Sequence, residues 1–217
     1  MFSLLGSHQQ KNKLLETAKK AAKIGGEVLL KHYRKADVQN VETKAIHDYV
    51  TEVDIESQKA IVEYIIAKFP HHAVLAEESD GGIEGSEYRW IIDPLDGTTN
   101  FIHGFPVFGV SVAVEKYNPR RKEFGEILAA AVLNPVAGEL FWATKDGGAY
   151  CNDRRIRVSS RNIIDDCLLA TGFPFRNKDY LEDFLQIFRR MFQCASGIRR
   201  AGAAALDLCW VANGALD

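Results

Sequence analysis

The chain has 217 residues, 47% of them apolar and 26% charged, which is typical of a globular protein with a substantial buried core. Its formal net charge is −2, and Lys and Arg are interspersed with Asp and Glu, so the composition indicates neither a nucleic-acid partner nor binding to an anionic membrane. The four cysteines lie far apart without metal-ligand spacing, which argues against a zinc site or a redox motif. No signal peptide and no apolar run of about 18 residues is found, so we expect a cytoplasmic protein.

Two amphipathic helices are predicted in the first third of the chain. Apolar residues recur at helical spacing over residues 13–33 and again over residues 55–69, where Pro70 ends the helix. The apolar stripe predicted for the second helix consists of Ile55, Val62, Ile65, Ile66 and Phe69. No element is predicted for the polar segment between the two helices.

Strand patterns dominate the middle of the chain. Short apolar runs at residues 73–76 and 90–92 predict buried strands that each lead directly into carboxylates. Turn residues then separate four further strand patterns, which we interpret as an antiparallel meander. These patterns lie at residues 107–115, 126–133, 139–144 and around Ile156.

The last third returns to mixed patterns. A strand is predicted at residues 168–171, and helices are predicted at residues 180–192 and 202–212. The order of elements predicts a layered α+β architecture. We expect two closely packed subdomains that meet near Asp146, an N-terminal one of residues 1–145 and a C-terminal one of residues 146–217.

Acidic residues follow both of the early buried strands. Asp93 and Asp96 lie three residues apart with Pro94 between them, a spacing that by itself also fits a simple turn. Glu77 and Glu78 close the earlier strand, although such a pair is often only a solvated loop charge. If the strand ends meet, Glu77, Asp93 and Asp96 would repel one another unless a cation neutralised them. Ligands that are all oxygen favour Mg²⁺ or Mn²⁺ over zinc.

The residues after Asp96 suit an anion. Gly97, Thr98, Thr99 and Asn100 would open a helix or turn whose backbone N–H groups point outward, as in sites that bind phosphate. Thr98 could orient a water molecule, cap the helix, or do both.

The segment WIIDPLDGTTNFIH, residues 90–103, resembles the signature of the inositol monophosphatase family of Mg²⁺-dependent, lithium-sensitive sugar phosphatases along its whole length. Further matches follow the family's order along nearly the entire chain; they are Lys44, residues 50–54, 76–79, 172–174 and 199–208. The resemblance implies the layered α/β/α/β/α sandwich that this family shares with fructose-1,6-bisphosphatase. It also implies a homodimer.

The resemblance assigns roles to individual residues. Two or three Mg²⁺ ions would be held by Glu77, Asp93, the Leu95 carbonyl and Asp96, with Glu77 also counted as catalytic. Asp54 and Thr98 resemble the pair that hydrogen-bonds the attacking water, and Lys44 and Glu78 are two further candidates. The substrate contacts would be Asp96, Gly97, Thr98, Gly202, Ala203 and Ala204, with Ala203 in a place where many relatives have a hydroxyl residue.

The function implied is hydrolysis of a small phosphorylated polyol, inositol 1-phosphate first, by a metal-activated water without a covalent intermediate. Fructose 1,6-bisphosphate, 3′-phosphoadenosine 5′-phosphate and histidinol phosphate remain open as substrates. A binding protein of the same fold that acts in bacterial transcription and RNA processing is the alternative of another class.

The resemblance stops at Asp217, whereas family members continue for several dozen residues through a W-D motif with one more metal ligand. We therefore expect the C-terminal part of the fold to be incomplete in these 217 residues, and the second metal to bind more weakly. Either the natural protein continues or it is truncated.

Overall fold

The computed structural model describes residues 2–35, 41–45, 48–76, 79–81, 85–121, 123–175 and 177–217. Helix α1 (Phe2–His32) starts earlier than predicted and packs against both the second helix and the central sheet. The predicted stripe of α1 is confirmed, since Leu14, Ala18, Ala21, Ala22 and Leu29 are fully buried. No helix in the described part of the chain combines the length and the apolar character that crossing a membrane requires.

Helix α2 (Glu52–Lys68) begins three residues before its predicted start. Its first turn contains the acidic residues Glu52 and Asp54, which a positive helix N-terminus favours. The predicted apolar stripe is wrong in part, because Ile55 and Ile66 are exposed. The side chains buried near the start of the helix are instead mostly polar, namely those of Asp54, Ser57 and Gln58. This polar end faces the candidate site described below.

A hairpin of β1 (Val41–Ala45) and β2 (Asp48–Thr51) precedes α2, in the segment for which no element was predicted. Within the described residues, the main sheet has eight strands in the order β10-β9-β8-β7-β6-β5-β3-β4, and among their pairings only β3 with β5 is parallel. The strands are β3 (Ala73–Ala76), β4 (Ser79–Gly81), β5 (Tyr88–Asp96), β6 (Gly109–Asn118), β7 (Glu123–Asn134), β8 (Glu139–Thr144), β9 (Gly148–Cys151) and β10 (Arg154–Arg155).

The predicted meander is confirmed from β6 to β10, with β9 as an additional short strand. Its core lies between the sheet and the two helices. Trp90 pairs with Val114 across β5 and β6, Ile92 pairs with Val112, and all four side chains are buried. Alternation of buried and partly exposed residues along both strands explains why a sequence pattern could locate them.

His72, two residues after the helix-ending Pro70, is partly buried. Its Nδ1 accepts a hydrogen bond of 3.0 Å from Trp90 Nε1. The imidazole also stacks on Phe69 at 4.5 Å and on Tyr88 at 4.8 Å between ring centroids. This cluster joins the end of α2 to the start of β5. Because Trp90 lies 18 positions after His72, local periodicity does not reveal the contact.

A short helix, α3 (Thr98–Ile102), follows β5. The C-terminal elements are β11 (Leu168–Ala170), α4 (Leu181–Cys194), β12 (Gly197–Arg199) and α5 (Ala204–Ala212). β11 and β12 pair in parallel. None of the residues of α4 is buried, although Phe184, Ile187, Phe188 and Met191 recur along it at helical spacing. Phe184 and Phe188 instead line an apolar groove of about 580 Å³ together with residues of β11 and α5.

The predicted boundary between residues 145 and 146 falls within the main sheet, since β9 pairs directly with β8. The division into two subdomains stays a prediction.

Candidate active site

Strand β5 ends in an irregular pairing that reorients its acidic residues. Asp93 lies opposite Ser111 and Asp96 lies opposite Gly109, so β5 has one more residue than β6 over this stretch. Such a bulge breaks the alternation of a strand, and Pro94, which has no N–H to donate to the ladder, is compatible with it. Leu95 N donates to Asp93 Oδ1 at 3.2 Å, which closes a tight turn around the buried Pro94 and Leu95.

The polar N-terminal end of α2 lies against this turn. Ser57 Oγ donates to the Pro94 carbonyl at 3.1 Å, in a fully buried contact. Thr98 Oγ1 is 3.1 Å from the Leu95 carbonyl and 3.5 Å from Asp54 Oδ1. The second distance is at the long limit of a hydrogen bond. The structure therefore brings Asp54, Thr98 and the Leu95 carbonyl together.

Helix α3 continues from the turn through Gly97, whose φ of +92° is in the left-handed region. A Cβ at this position would lie 3.0 Å from the Val107 carbonyl and 3.3 Å from Ala203 Cβ, so only glycine fits without displacing its neighbours. At the far end of this segment, Tyr33 Oη and Arg34 Nε of the α1 end both donate to the Gly104 carbonyl. The residues around Gly97 and Thr98 are thus anchored at both ends.

Asp96 connects the turn to the start of α5. Its Oδ2 accepts a hydrogen bond of 2.6 Å from Ala205 N, in the first turn of a helix whose own N-cap residue, Ala203, has no side-chain acceptor. Burial raises the pKa of Asp96, and hydrogen bonds from the backbone of Ala205 and Ala204 partly offset this. The carboxylate therefore caps α5 in addition to its predicted role at the metal.

Residues 202–204, which are predicted to contact the substrate, form a wall next to Gly97. Ala203 is fully buried, whereas Gly202 is partly exposed and Ala204 is exposed. Contact between Ala203 and a substrate stays a prediction, and the surface open to a ligand belongs to its two neighbours. Leu206, one turn further along α5, packs against Gly109 at the start of β6 and holds this wall over Asp96.

Three predicted residues are not settled by the structure. β3 ends at Ala76 beside Ile92 of β5, so the described ends of the two parallel strands are adjacent. Glu77 and Glu78, which follow Ala76 in the sequence, lie outside the described residues, and for Lys44 only its place in β1 is described. Among the residues that are described, no three His, Cys, Asp or Glu side chains form a group that could hold a metal ion. The predicted ligand set includes Glu77 and is therefore only partly in view.

Two positioning contacts were missed by sequence reasoning. Ser57 lies three residues after Asp54 on the same face of α2, a spacing that could have revealed it. Asn100 lies within the recognised signature, but its partner Ala201 is 101 positions away in the sequence, so no local signal could have found the contact.

The chain matches the family model described as "Inositol monophosphatase family" over residues 10–217. The chain belongs to this family. A Nus factor SuhB from Pseudomonas aeruginosa is 46% identical over 209 residues, which cover 94% of this chain and 74% of that protein. A fructose-1,6-bisphosphatase/inositol-1-monophosphatase from Aquifex aeolicus is 42% identical over 205 residues, or 94% of this chain and 75% of that protein.

Solved structures agree with this membership. The extragenic suppressor protein suhB from Bartonella henselae superimposes with a TM-score of 0.85 at 41% sequence identity, covering 93% of this chain and 75% of that one. The predicted α+β fold class is therefore confirmed as that of the inositol monophosphatase family. The phosphatase fold is thus established, and the assignment of individual site residues stays a prediction.

Proposed function

We propose that this protein is a Mg²⁺-dependent phosphatase of small phosphate monoesters, with inositol 1-phosphate as the first candidate substrate. The observation that carries the proposal is the turn at residues 93–98, which carries Asp93 and Asp96 and places Thr98 Oγ1 3.1 Å from the Leu95 carbonyl and 3.5 Å from Asp54 Oδ1 of α2. Membership of the family supports it. The name of the Aquifex aeolicus relative, which combines two such phosphatase activities, supports it as well.

The donor atoms in this turn fit magnesium chemically. Asp93, the Leu95 carbonyl and Asp96 offer only oxygen, and hard cations such as Mg²⁺ take oxygen ligands. The raised pKa of Asp96 reflects a carboxylate whose charged form lies in a poorly solvated place, where a cation would stabilise it. We propose Glu77 as a further ligand from the sequence. Bound there, Mg²⁺ would lower the pKa of water and neutralise charge on the phosphate and on the leaving oxygen.

The protein's own groups would position the reactants. Asp54 and Thr98 would both form hydrogen bonds with the attacking water. Because Asp54 is buried and lies beside Thr98, its carboxylate would hold this water in one orientation. Backbone N–H groups of Gly97 and Thr98 would bind the phosphate oxygens. Gly202 and Ala204 would contact the rest of the substrate. None of these steps needs a covalent intermediate with the enzyme.

A phosphate-release panel tests the proposal. We expect release with Mg²⁺, inhibition by Li⁺, and a preference for inositol 1-phosphate over fructose 1,6-bisphosphate, 3′-phosphoadenosine 5′-phosphate and histidinol phosphate. Asp93→Asn, which weakens a proposed ligand without changing its size, should lower kcat at least about 100-fold. Asp153→Asn, an exposed aspartate on the turn before β10, is the matched control and should retain wild-type activity. No release from any substrate would contradict the proposal.

A second candidate follows from the relatives named Nus factor SuhB, which are 40 to 46% identical to this chain. We propose as the alternative that the protein contributes to bacterial transcription and RNA processing by binding a macromolecular partner. Asp93→Asn separates the two, because cells that tolerate this variant but not deletion of the protein would need binding rather than hydrolysis. A homodimer and a cytoplasmic location stay predictions under both proposals.

A further inference from the structure

Asn100, in the middle of α3, connects two parts of the candidate active site. Its Nδ2 donates to the Val107 carbonyl at 2.6 Å and to the Ala201 carbonyl at 2.9 Å. Both partners are acceptors only, so the nitrogen side of the amide must face them and both of its N–H groups are in use. The first contact is local, whereas the second reaches the segment that leads from β12 into α5.

We call residues 97–100 the phosphate cradle and residues 201–204 the substrate wall, in line with the proposed function. The cradle and the wall are in direct contact. A Cβ on Gly97 would lie 3.3 Å from the Gly202 carbonyl, and a Cβ on Gly202 would lie 3.0 Å from Asn100 Nδ2. Both glycines have a φ of +92°. Their missing side chains let the two segments approach until the Asn100 amide spans the gap.

The Asp96 carboxylate, just before the cradle, also binds this side of the site, because it accepts hydrogen bonds from Ala205 N, at 2.6 Å to Oδ2, and from the backbone of Ala204. Asp96 is a proposed metal ligand, so its carboxylate would be shared between the metal and the helix. The Asn100 amide is uncharged and binds only carbonyl groups, so its contact is independent of the metal. It is therefore the contact suited to hold the wall at a constant distance from the cradle through a catalytic cycle.

We propose that Asn100 is a positioning residue that sets the distance between the phosphate cradle and the substrate wall, and thereby the affinity for the polyol part of the substrate. This inference rests on the proposed function. A displacement of the wall by about 1 Å is enough to cost up to about 100-fold in reactivity when a substrate must be held at two points. Binding of inorganic phosphate, which does not contact the wall, should not depend on this displacement.

The test compares inositol 1-phosphate, which would contact both the cradle and the wall, with inorganic phosphate, which would contact the cradle only. Asn100→Asp preserves the shape of the side chain but replaces both donors by a carboxylate that repels the Val107 and Ala201 carbonyls. We expect KM for inositol 1-phosphate to rise about 10-fold or more, with a smaller change in kcat. In the uncharged variant Asn100→Ala, which keeps the backbone N–H groups of Gly97 and Thr98, the inhibition constant of inorganic phosphate should change less than about 3-fold. An equal change in both constants, or no change in either, would overturn the proposal.

The matched control is Asn152→Asp, at a site remote from the cradle. Asn152 Nδ2 donates to the Gly138 carbonyl at 3.2 Å, and its Oδ1 accepts from Leu140 N, so this amide also bridges two segments. The control should leave both constants unchanged. Asn100→Ala serves as a second variant without added charge and should raise KM selectively as well. If both Asn100 variants fail to fold, the amide is a stability element and the proposal is wrong.

A measurement that does not depend on activity separates this inference from the proposed function. Amide hydrogen exchange at Ala204, Ala205 and Leu206 should be faster in Asn100→Asp than in the wild type or in Asn152→Asp, because the wall and the start of α5 lose the hydrogen bond from Asn100 to Ala201. If exchange is faster but the wild-type protein hydrolyses no tested substrate, the positioning role of Asn100 is supported and the phosphatase function is rejected. Unchanged exchange would reject the tie.

Discussion

At the scale of single residues, the candidate site depends on polar side chains buried in unusual places. Asp54 and Gln58 lie in α2 at 3% and 9% exposure, where an amphipathic pattern would have apolar residues. Ser57, between them on the same helix, is fully buried and bonded to Pro94. A buried polar group is costly unless it has a partner. The polar residues at this end of α2 therefore fit contacts at the candidate site, such as that of Ser57 with Pro94, rather than an apolar stripe.

His72 yields a prediction about pH. Burial lowers the pKa of this imidazole. The negative charge of Glu87 raises the pKa by a smaller amount, and Lys13 and His71 lower it further. The unfolded chain takes up a proton at His72 near pH 6.5, and the folded protein does so only at a lower pH. Its contribution to stability is thus present above the unfolded pKa and is lost as the pH falls towards the folded pKa.

We expect the free energy of unfolding in urea to fall between about pH 8 and about pH 5 in the wild type, and to fall less in His72→Gln. Protonation of Nδ1 would also remove the acceptor for Trp90 Nε1, so the fluorescence of the protein should change over the same range. The matched control is His71→Gln, because His71 is exposed. A control whose pH dependence differs from the wild type as much as that of His72→Gln would contradict the assignment.

At the scale of elements, α1 and α2 approach each other and the sheet at Gly25. A Cβ at this position would lie 2.7 Å from Ile61 Cδ1, 2.9 Å from Ser57 Oγ and 3.1 Å from Val110 Cγ1. Three elements therefore meet at one residue without a side chain. Since Ser57 also holds the turn at Pro94, this crossing supports the candidate site as well as the core.

We expect Gly25→Val to lower the free energy of unfolding by about 1 to 3 kcal/mol, because the added methyl groups overpack the crossing. Urea denaturation measures it. Lys23→Val introduces the same side chain on the exposed side of α1 and should cost less than about 1 kcal/mol through helix propensity alone. Equal losses in the two variants would show that propensity rather than packing is responsible.

At the scale of the whole molecule, the candidate site joins the main sheet to the C-terminal elements. Asp96 caps α5, Asn100 binds the wall before it, and Leu206 packs on the start of β6. A ligand that binds the site should therefore stabilise the entire fold, because it binds the folded state and not the separated segments.

Mg²⁺ should accordingly raise the melting temperature. At about 100 times the dissociation constant the gain is about 2.7 kcal/mol, or roughly 5 to 10 °C for a chain of this size. Differential scanning fluorimetry with and without Mg²⁺ measures the shift. Asp93→Asn should reduce it and Asp153→Asn should not. A shift of the same size in both variants would indicate that Mg²⁺ acts elsewhere.

The family and the meander could both be predicted from the sequence alone. Residues 90–103 carry the signature, and strands with one buried face repeat with a period that short segments display locally. The early start of α2, the hairpin before it and the partly exposed aromatic residues of α4 escaped the same reasoning. The start of α2 and the hairpin have a weak apolar pattern, and the apolar residues of α4 are not buried in the fold.

Only the tertiary structure decided how the predicted residues meet. Thr98 faces Asp54 across 44 positions of sequence, Asp96 caps α5 across 109, and Asn100 reaches Ala201 across 101. Such contacts are set by the packing of α2 and α5 against the edge of the sheet where β5 ends. A local pattern records which face of a segment is apolar, but not which distant segment will cover it, and the geometry of the site depends on that second fact.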